Sequence, residues 1–194
     1  MNKLLIIIYI LTFILVNSCQ NVEIEPDENN LNTFSMLLNG KIWTPSKIDP
    51  CTKTFQCNMS SLDSDNIYKI EAYKDPLLNA SLESENFFEI QIMKVNSVGT
   101  YFINGEFRNF ESYSRLTINE IAGKKRYQNK KDGSSFKVEV TEIFPNMESN
   151  IKGIKGTFSG FLFNLENVKD SIKIDRGSFI FKKLNFNNFN QCKE

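Results

Sequence analysis

There is no histidine in this 194-residue chain. That absence removes the usual general base near neutral pH and excludes Ser-His-Asp and Cys-His nucleophiles outright. Four cysteines are then the only zinc-type soft ligands. They lack the paired spacing of a zinc knuckle, so no metal and no cofactor is expected. No glycine-rich loop follows a strand and opens a helix, which leaves nucleotide binding without a motif. Charge of one sign is also missing, with 23 basic against 23 acidic side chains. The densest basic cluster, Lys124-Lys125-Arg126 with Lys130-Lys131, runs into Asp132-Gly133 and reads as a solvated hairpin tip, so no nucleic-acid partner is expected.

Proline is scarce as well. Its five copies, at 26, 45, 50, 76 and 145, all fall between apolar runs, as sheet hydrogen bonding requires. Those runs alternate with period two over 67–73, 87–93, 100–103, 115–121, 135–143, 151–163 and 171–183. In the clearest, Phe136, Val138 and Val140 share one face while Lys137, Glu139 and Thr141 share the other, the mark of a strand between water and a core. At 36–43 the pair Asn39-Gly40 supplies the two positive-φ positions of a tight hairpin. No βαβ rhythm appears, and helix candidates are short pieces at 75–82 and 109–113. The expected fold is all-β, an antiparallel β-sandwich of roughly 8–10 strands, with a closed or partly closed β-barrel as the alternative. Gly156 and Gly160, inside the long run 151–163, predict a bend, a bulge, or aromatic rings lying across bare backbone.

One long hydrophobic run exists, residues 4–16, preceded by Lys3. At about 1.5 Å per residue it reaches roughly 20 Å, short of the hydrocarbon thickness of about 30 Å, so it reads as a secretory segment rather than a membrane span. It ends in Leu15-Val16-Asn17-Ser18-Cys19, which resembles a bacterial lipobox. The resemblance implies a signal peptide over 1–18, lipidation at Cys19 and membrane attachment through it. The competing reading is an ordinary signal peptide cut near Ser18. Gln20, rather than an aspartate, after the cysteine resembles the lipoproteins of Gram-negative bacteria sorted to the outer membrane. Residues 19–33 hold Glu23, Glu25, Asp27 and Glu28 around Pro26 and read as a flexible tether. A single β-rich domain then covers 34–194.

That domain holds the stretches Leu38-Asn39-Gly40-Lys41-Ile42-Trp43, Gly99-Thr100-Tyr101, Gly156-Thr157-Phe158-Ser159-Gly160 and the run from Ile172 to Phe179. In these it resembles a broad group of uncharacterised single-domain lipoproteins from Bacteroidota. The resemblance implies a β-rich envelope domain and carries no catalytic residues with it.

If Cys19 is lipidated, Cys51, Cys57 and Cys192 remain. A bridge between Cys51 and Cys57 would close a short loop and stabilise by about 2 kcal/mol. The alternatives are a bridge from one of them to Cys192, or none. Three functions are compatible with the residues. The leading one is a non-catalytic envelope lipoprotein that binds a protein or organises the surface, with Trp43, Phe161 and Phe163 in an exposed apolar patch. The second is a carbohydrate-binding accessory lipoprotein, with Trp43, Tyr113 or Tyr127 beside amide or carboxylate groups in a shallow groove. The third is a hydrolase using two carboxylates drawn from Glu71, Glu89, Glu106, Glu111, Glu139 and Glu142. Against this last reading, Glu89 and Glu139 are expected on the wet faces of alternating strands.

Overall fold

The computed structural model describes residues 32–46, 54–74, 86–107, 110–120, 123–132, 134–145, 152–182 and 184. They all belong to a compact unit spanning 31–194. Their strands are β1 (Asn32–Leu38), β2 (Lys41–Trp43), β3 (Phe55–Leu62), β4 (Asp65–Lys74), β5 (Asn86–Ile92), β6 (Gly99–Phe102), β7 (Tyr113–Glu120), β8 (Gly123–Gln128), β9 (Phe136–Phe144), β10 (Gly153–Asn164) and β11 (Ser171–Phe181). Every pairing is antiparallel. The helix candidate at 75–82 and the cysteines Cys19, Cys51 and Cys192 lie outside the described residues. In the second candidate, 110–112 are non-helical and Tyr113 opens β7.

Nine strands follow one continuous path, β2-β1-β11-β10-β8-β7-β5-β4-β3, with β9 and β6 branching from β10. The result is a curled, open half-barrel, nearer to the partly closed barrel than to the expected sandwich. The reason is the length of β10. Residues 153–160 pair with β9, while Phe163 and Asn164 pair with β8. One strand thus carries the sheet around the corner instead of letting it split into two layers. The curl brings distant strands together: the Tyr68 hydroxyl on β4 donates to the Lys152 carbonyl just ahead of β10 at 2.9 Å.

Two hairpins rest on left-handed turn residues. Asn39 and Gly40 sit at φ 48° and 77°, as the sequence predicts, and Asp63 and Ser64 at 50° and 72° join β3 to β4 in the same way. Gly156 and Gly160 do what their spacing suggests. Register shifts fall beside them, against β9 and β11 respectively. A Cβ on Gly156 would run into the Glu139 carbonyl and come within 2.7 Å of the Phe179 ring. Gly160, at φ 149°, has the Ser135 carbonyl and the Phe136 Cα directly against it.

Inside the curl lies an aromatic core. Phe158 stacks on Phe34, Phe88, Phe136 and Phe179 at centroid distances of 5.5, 5.3, 6.2 and 6.2 Å. Such ring pairs add to the burial of their area. Phe55, Cys57 and Met59 project from β3 into the same core. Here the expected disulfide is overturned: Cys57 is a free, buried thiol. Its place in the alternation makes it a small apolar core residue, and burial, with the Glu71 charge second, pushes its pKa well up.

Candidate functional site: a charged and aromatic groove on the outer face

Strands β3, β4, β5, β7 and β8 present their other face away from this core. Alternation sends Tyr68, Ile70 and Ala72 of β4 inward and leaves Lys69, Glu71 and Tyr73 outside. On β5, Phe88, Ile90 and Ile92 go inward, leaving Phe87, Glu89 and Gln91. Register then aligns one polar residue per strand into a row: Gln56 opposite Glu71, Glu71 opposite Glu89, Glu89 opposite Arg115, and Arg115 opposite Gln128. Opposed side chains in such pairs have Cβ atoms about 4.5–5.5 Å apart, close enough to bond directly.

They do. The Gln56 amide donates to Glu71 Oε2 at 2.6 Å. Lys69 Nζ bridges the two acids, 2.8 Å from Glu71 Oε1 and 3.3 Å from Glu89 Oε1. Arg115 grips Glu89 Oε2 with Nε at 2.7 Å and Nη2 at 2.6 Å, and the Tyr113 hydroxyl donates to Glu89 Oε1. Glu89 is 0 % exposed, where a wet strand face was expected. Its charge is tolerable there because two cations and a phenol surround it. Burial and then the Glu89 charge push the Tyr113 phenol far above its ordinary value. Burial pulls the Lys69 ammonium down, but its bonds to Glu71 and Glu89 and their charges overcome this and leave it raised.

Beside this row runs a second: Tyr73 opposite Phe87, Phe87 opposite Thr117, and Thr117 opposite Arg126. Tyr73 and Phe87 stack at 5.2 Å and 23°. The Arg115 guanidinium lies 4.7 Å from the Phe87 centroid and 3.4 Å from that of Phe107, a cation held between two rings. Phe107 reaches over from the segment between β6 and β7, and Asn129 holds that segment in place. Asn129 Nδ2 donates to the carbonyls of Ile103 and Gly105 at 3.1 and 3.0 Å, while its Oδ1 accepts from the Ser114 amide at 2.7 Å.

The two rows floor a groove of about 470 Å³, lined among others by Glu71, Tyr73, Arg115, Arg126, Gln128 and Leu165. Its volume falls in the range of small-molecule sites, about 300–1,000 Å³. Residues 31–182 of the chain match the sequence profile described as Domain of unknown function (DUF5025). The chain belongs to the DUF5025 family. No curated protein and no solved structure matches it. The DUF5025 match encloses every groove residue named above.

The DUF5025 fold disperses the aromatic residues singled out in the sequence. Trp43, 5 % exposed, packs edge-on against Phe34 at 6.2 Å inside the core. Tyr113 is buried against Glu89. Tyr127 is buried too, but it borders the groove and donates its hydroxyl to Asp170 Oδ2 at 3.0 Å. Phe161 is 43 % exposed on β10, and Phe163 lies two residues on with the Lys130 ammonium 4.2 Å from its ring. Trp43 is therefore on the opposite side of the sheet wall from solvent and shares no patch with Phe161 and Phe163. Of the carboxylates, Glu71 and Glu89 meet, whereas Glu106 pairs with Lys131 at 2.8 Å and Glu142 with Lys155 at 3.8 Å. The groove residues Tyr73, Phe87, Arg115, Arg126 and Gln128 were not singled out as a site. The one signal in the sequence was two adjacent alternating runs, 67–73 and 87–93, that carry charge and aromatics together on their non-core faces.

The buried phenols set an alkaline signature for DUF5025. Burial pushes Tyr68 up to about 12, the charges of Cys57 and Tyr101 adding to it, and burial followed by the bond to Asp170 takes Tyr127 up to about 12. Unfolded phenols lose their proton near pH 10. Folded-state values raised above that contribute stability below pH 10, and this is lost as pH rises through about 12. Absorbance at 295 nm is expected to show these phenols ionising only as the circular dichroism of the sheet is lost. Ionisation near pH 10 with the sheet intact would contradict their burial.

Proposed function

We propose that this protein is a lipid-anchored cell-envelope lipoprotein of the Bacteroidota type that binds carbohydrate, without cleaving it, in the groove over β4, β5, β7 and β8. The observation that carries the reading is the pairing of a half-buried tyrosine, Tyr73, stacked on Phe87, with planar hydrogen-bonding groups from Glu71, Arg115, Arg126 and Gln128 in one groove. A sugar ring presents an apolar C–H face and an equatorial rim of hydroxyls. An aromatic ring covers the first, and amide, guanidinium and carboxylate groups each meet a pair of the second. The leading expectation from the sequence, protein docking, drew on a joint patch of Trp43, Phe161 and Phe163, and the burial of Trp43 weakens that support. A two-carboxylate hydrolysis needs both acids at the glycosidic bond. Glu89 is sealed beneath Lys69, Arg115 and Tyr113, and this favours binding alone.

The anchor is proposed at Cys19, with 19–33 as tether and the outer membrane as destination. The test starts from intact protein extracted from membranes. Detergent-phase partitioning that disappears in Cys19→Ser is expected for the anchor. On an oligosaccharide array, the wild type is expected to give saturable binding that Tyr73→Ala weakens at least tenfold while the circular dichroism is unchanged. Binding indifferent to Tyr73→Ala would place the ligand elsewhere. An array with no saturable binding would end the carbohydrate reading.

A further inference from the structure

We infer that the groove selects acidic saccharides, with Arg126 as the residue that receives the ligand's carboxylate. This deepens the carbohydrate reading and rests on it. The cations and anions of the groove are not evenly matched in their commitments. The charges of Glu71 and Glu89 are paired from within the protein: Lys69 bridges both, Gln56 holds Glu71 and Arg115 holds Glu89. The charges of Lys69 and Arg115 are paired in the same contacts, and Arg115 is further fixed between Phe87 and Phe107. Arg126 differs from them. It is exposed and lines the groove, and among the described residues its guanidinium has no carboxylate or hydrogen-bond partner. The nearest basic neighbour on its strand, Lys125, is paired with Glu120 at 2.9 Å. The groove thus carries one uncommitted positive charge and no uncommitted negative one.

Position gives that charge a purpose. Arg126 ends the row that begins at Tyr73, with Phe87 and Thr117 between them. Three strand spacings of about 4.8 Å put the ends of the row about 14 Å apart. That is longer than a single sugar ring. A short oligosaccharide lying across the strands would rest one ring on Tyr73 and bring a second ring beneath Arg126. The Thr117 hydroxyl stands between. Leu165 borders the Arg126 end, its amide bonded to the Arg126 carbonyl at 2.9 Å. The flat guanidinium fork matches the carboxylate of a uronic acid with two parallel bonds, which a neutral hydroxymethyl group cannot provide.

The probes are trisaccharides of galacturonate, glucuronate and mannuronate, each against its own methyl ester, which keeps the ring and removes the charge. Calorimetry with the full chain in detergent is expected to show at least one acid binding ten-fold or more tighter than its ester. Arg126→Gln should bring the acid-to-ester affinity ratio down to about one, and rising salt should narrow it in the wild type. If neutral and acidic saccharides bind equally, and Tyr73→Ala weakens both, acid selectivity is wrong and carbohydrate binding stands. If an acid is preferred but Arg126→Gln retains the preference, the assignment to Arg126 is wrong. If neither these probes nor any neutral saccharide binds, the carbohydrate reading fails and takes this inference with it.

Discussion

Replacing Arg115 by methionine is expected to destabilise the protein by about 3–5 kcal/mol, far more than an exposed ion pair is worth. The cost comes from what is left behind. Glu89 is 0 % exposed, and without Arg115 it keeps only Lys69 at 3.3 Å and the Tyr113 hydroxyl. A buried carboxylate stripped of the guanidinium that holds its Oε2 through two nitrogens is penalised by its lost solvation rather than by the lost attraction. Methionine would also give up the cation between Phe87 and Phe107, about 0.5–2 kcal/mol in such settings. The double replacement Glu89→Leu with Arg115→Met is expected to recover most of the loss, because it removes the stranded charge. Urea unfolding of the wild type, both single variants and the double variant would close the cycle. A single-variant loss below about 1 kcal/mol would show that water reaches Glu89 and that the row is a surface feature.

Phe158→Ala is expected to cost about 3–5 kcal/mol, the usual range for deleting a buried phenylalanine. The upper part of that range applies. The ring is in contact with Phe34 of β1, Phe88 of β5, Phe136 of β9 and Phe179 of β11, strands from all around the curl. Because each is fixed by its own ladder, the cavity has little means of collapsing. The urea midpoint should fall with the slope unchanged, and Phe158→Leu should lose less. The groove faces the other side of the sheet, so at temperatures where the variant is folded the proposed saccharide binding should be the same as in the wild type. A loss under about 1.5 kcal/mol would mean that the four rings repack and that the core is not organised around Phe158.

These two residues also mark the limit of what was legible beforehand. Phe158 was readable: period two over 151–163 puts Ile154, Phe158 and Leu162 on one face, and all three are in the core. The glycines beside it were readable because their lack of a side chain is a local property, and the bulges lie where they stand. The consecutive run β9, β10 and β11 is an antiparallel meander, as the short connections imply. Strand β8 was not legible. Gly123–Gln128 is Gly-Lys-Lys-Arg-Tyr-Gln, almost without apolar residues, and it is extended because β7 offers it six partners in register. That miss hid the site, since Arg126 was read as part of a solvated tip and Gln128 had no pattern to place it. Glu89 was misread for a related cause. Alternation assigned its face correctly but could not show that Arg115 and Tyr113 from β7 and Lys69 from β4 arrive to cover it.

From the linear order of residues alone came the antiparallel β class, the dry face of each well-patterned strand, the Asn39-Gly40 hairpin and the absence of histidine chemistry, because all of these depend on a residue and its near neighbours. Tertiary structure alone decided the rest. Whether the sheet splits or curls depends on β10 reaching both β9 and β8. Whether Cys57 is bridged or free depends on which way its strand faces, and whether five polar side chains on five strands form one row depends on register. Register is a relation between segments tens of residues apart, set by the packing of the opposite face, and no local pattern encodes it.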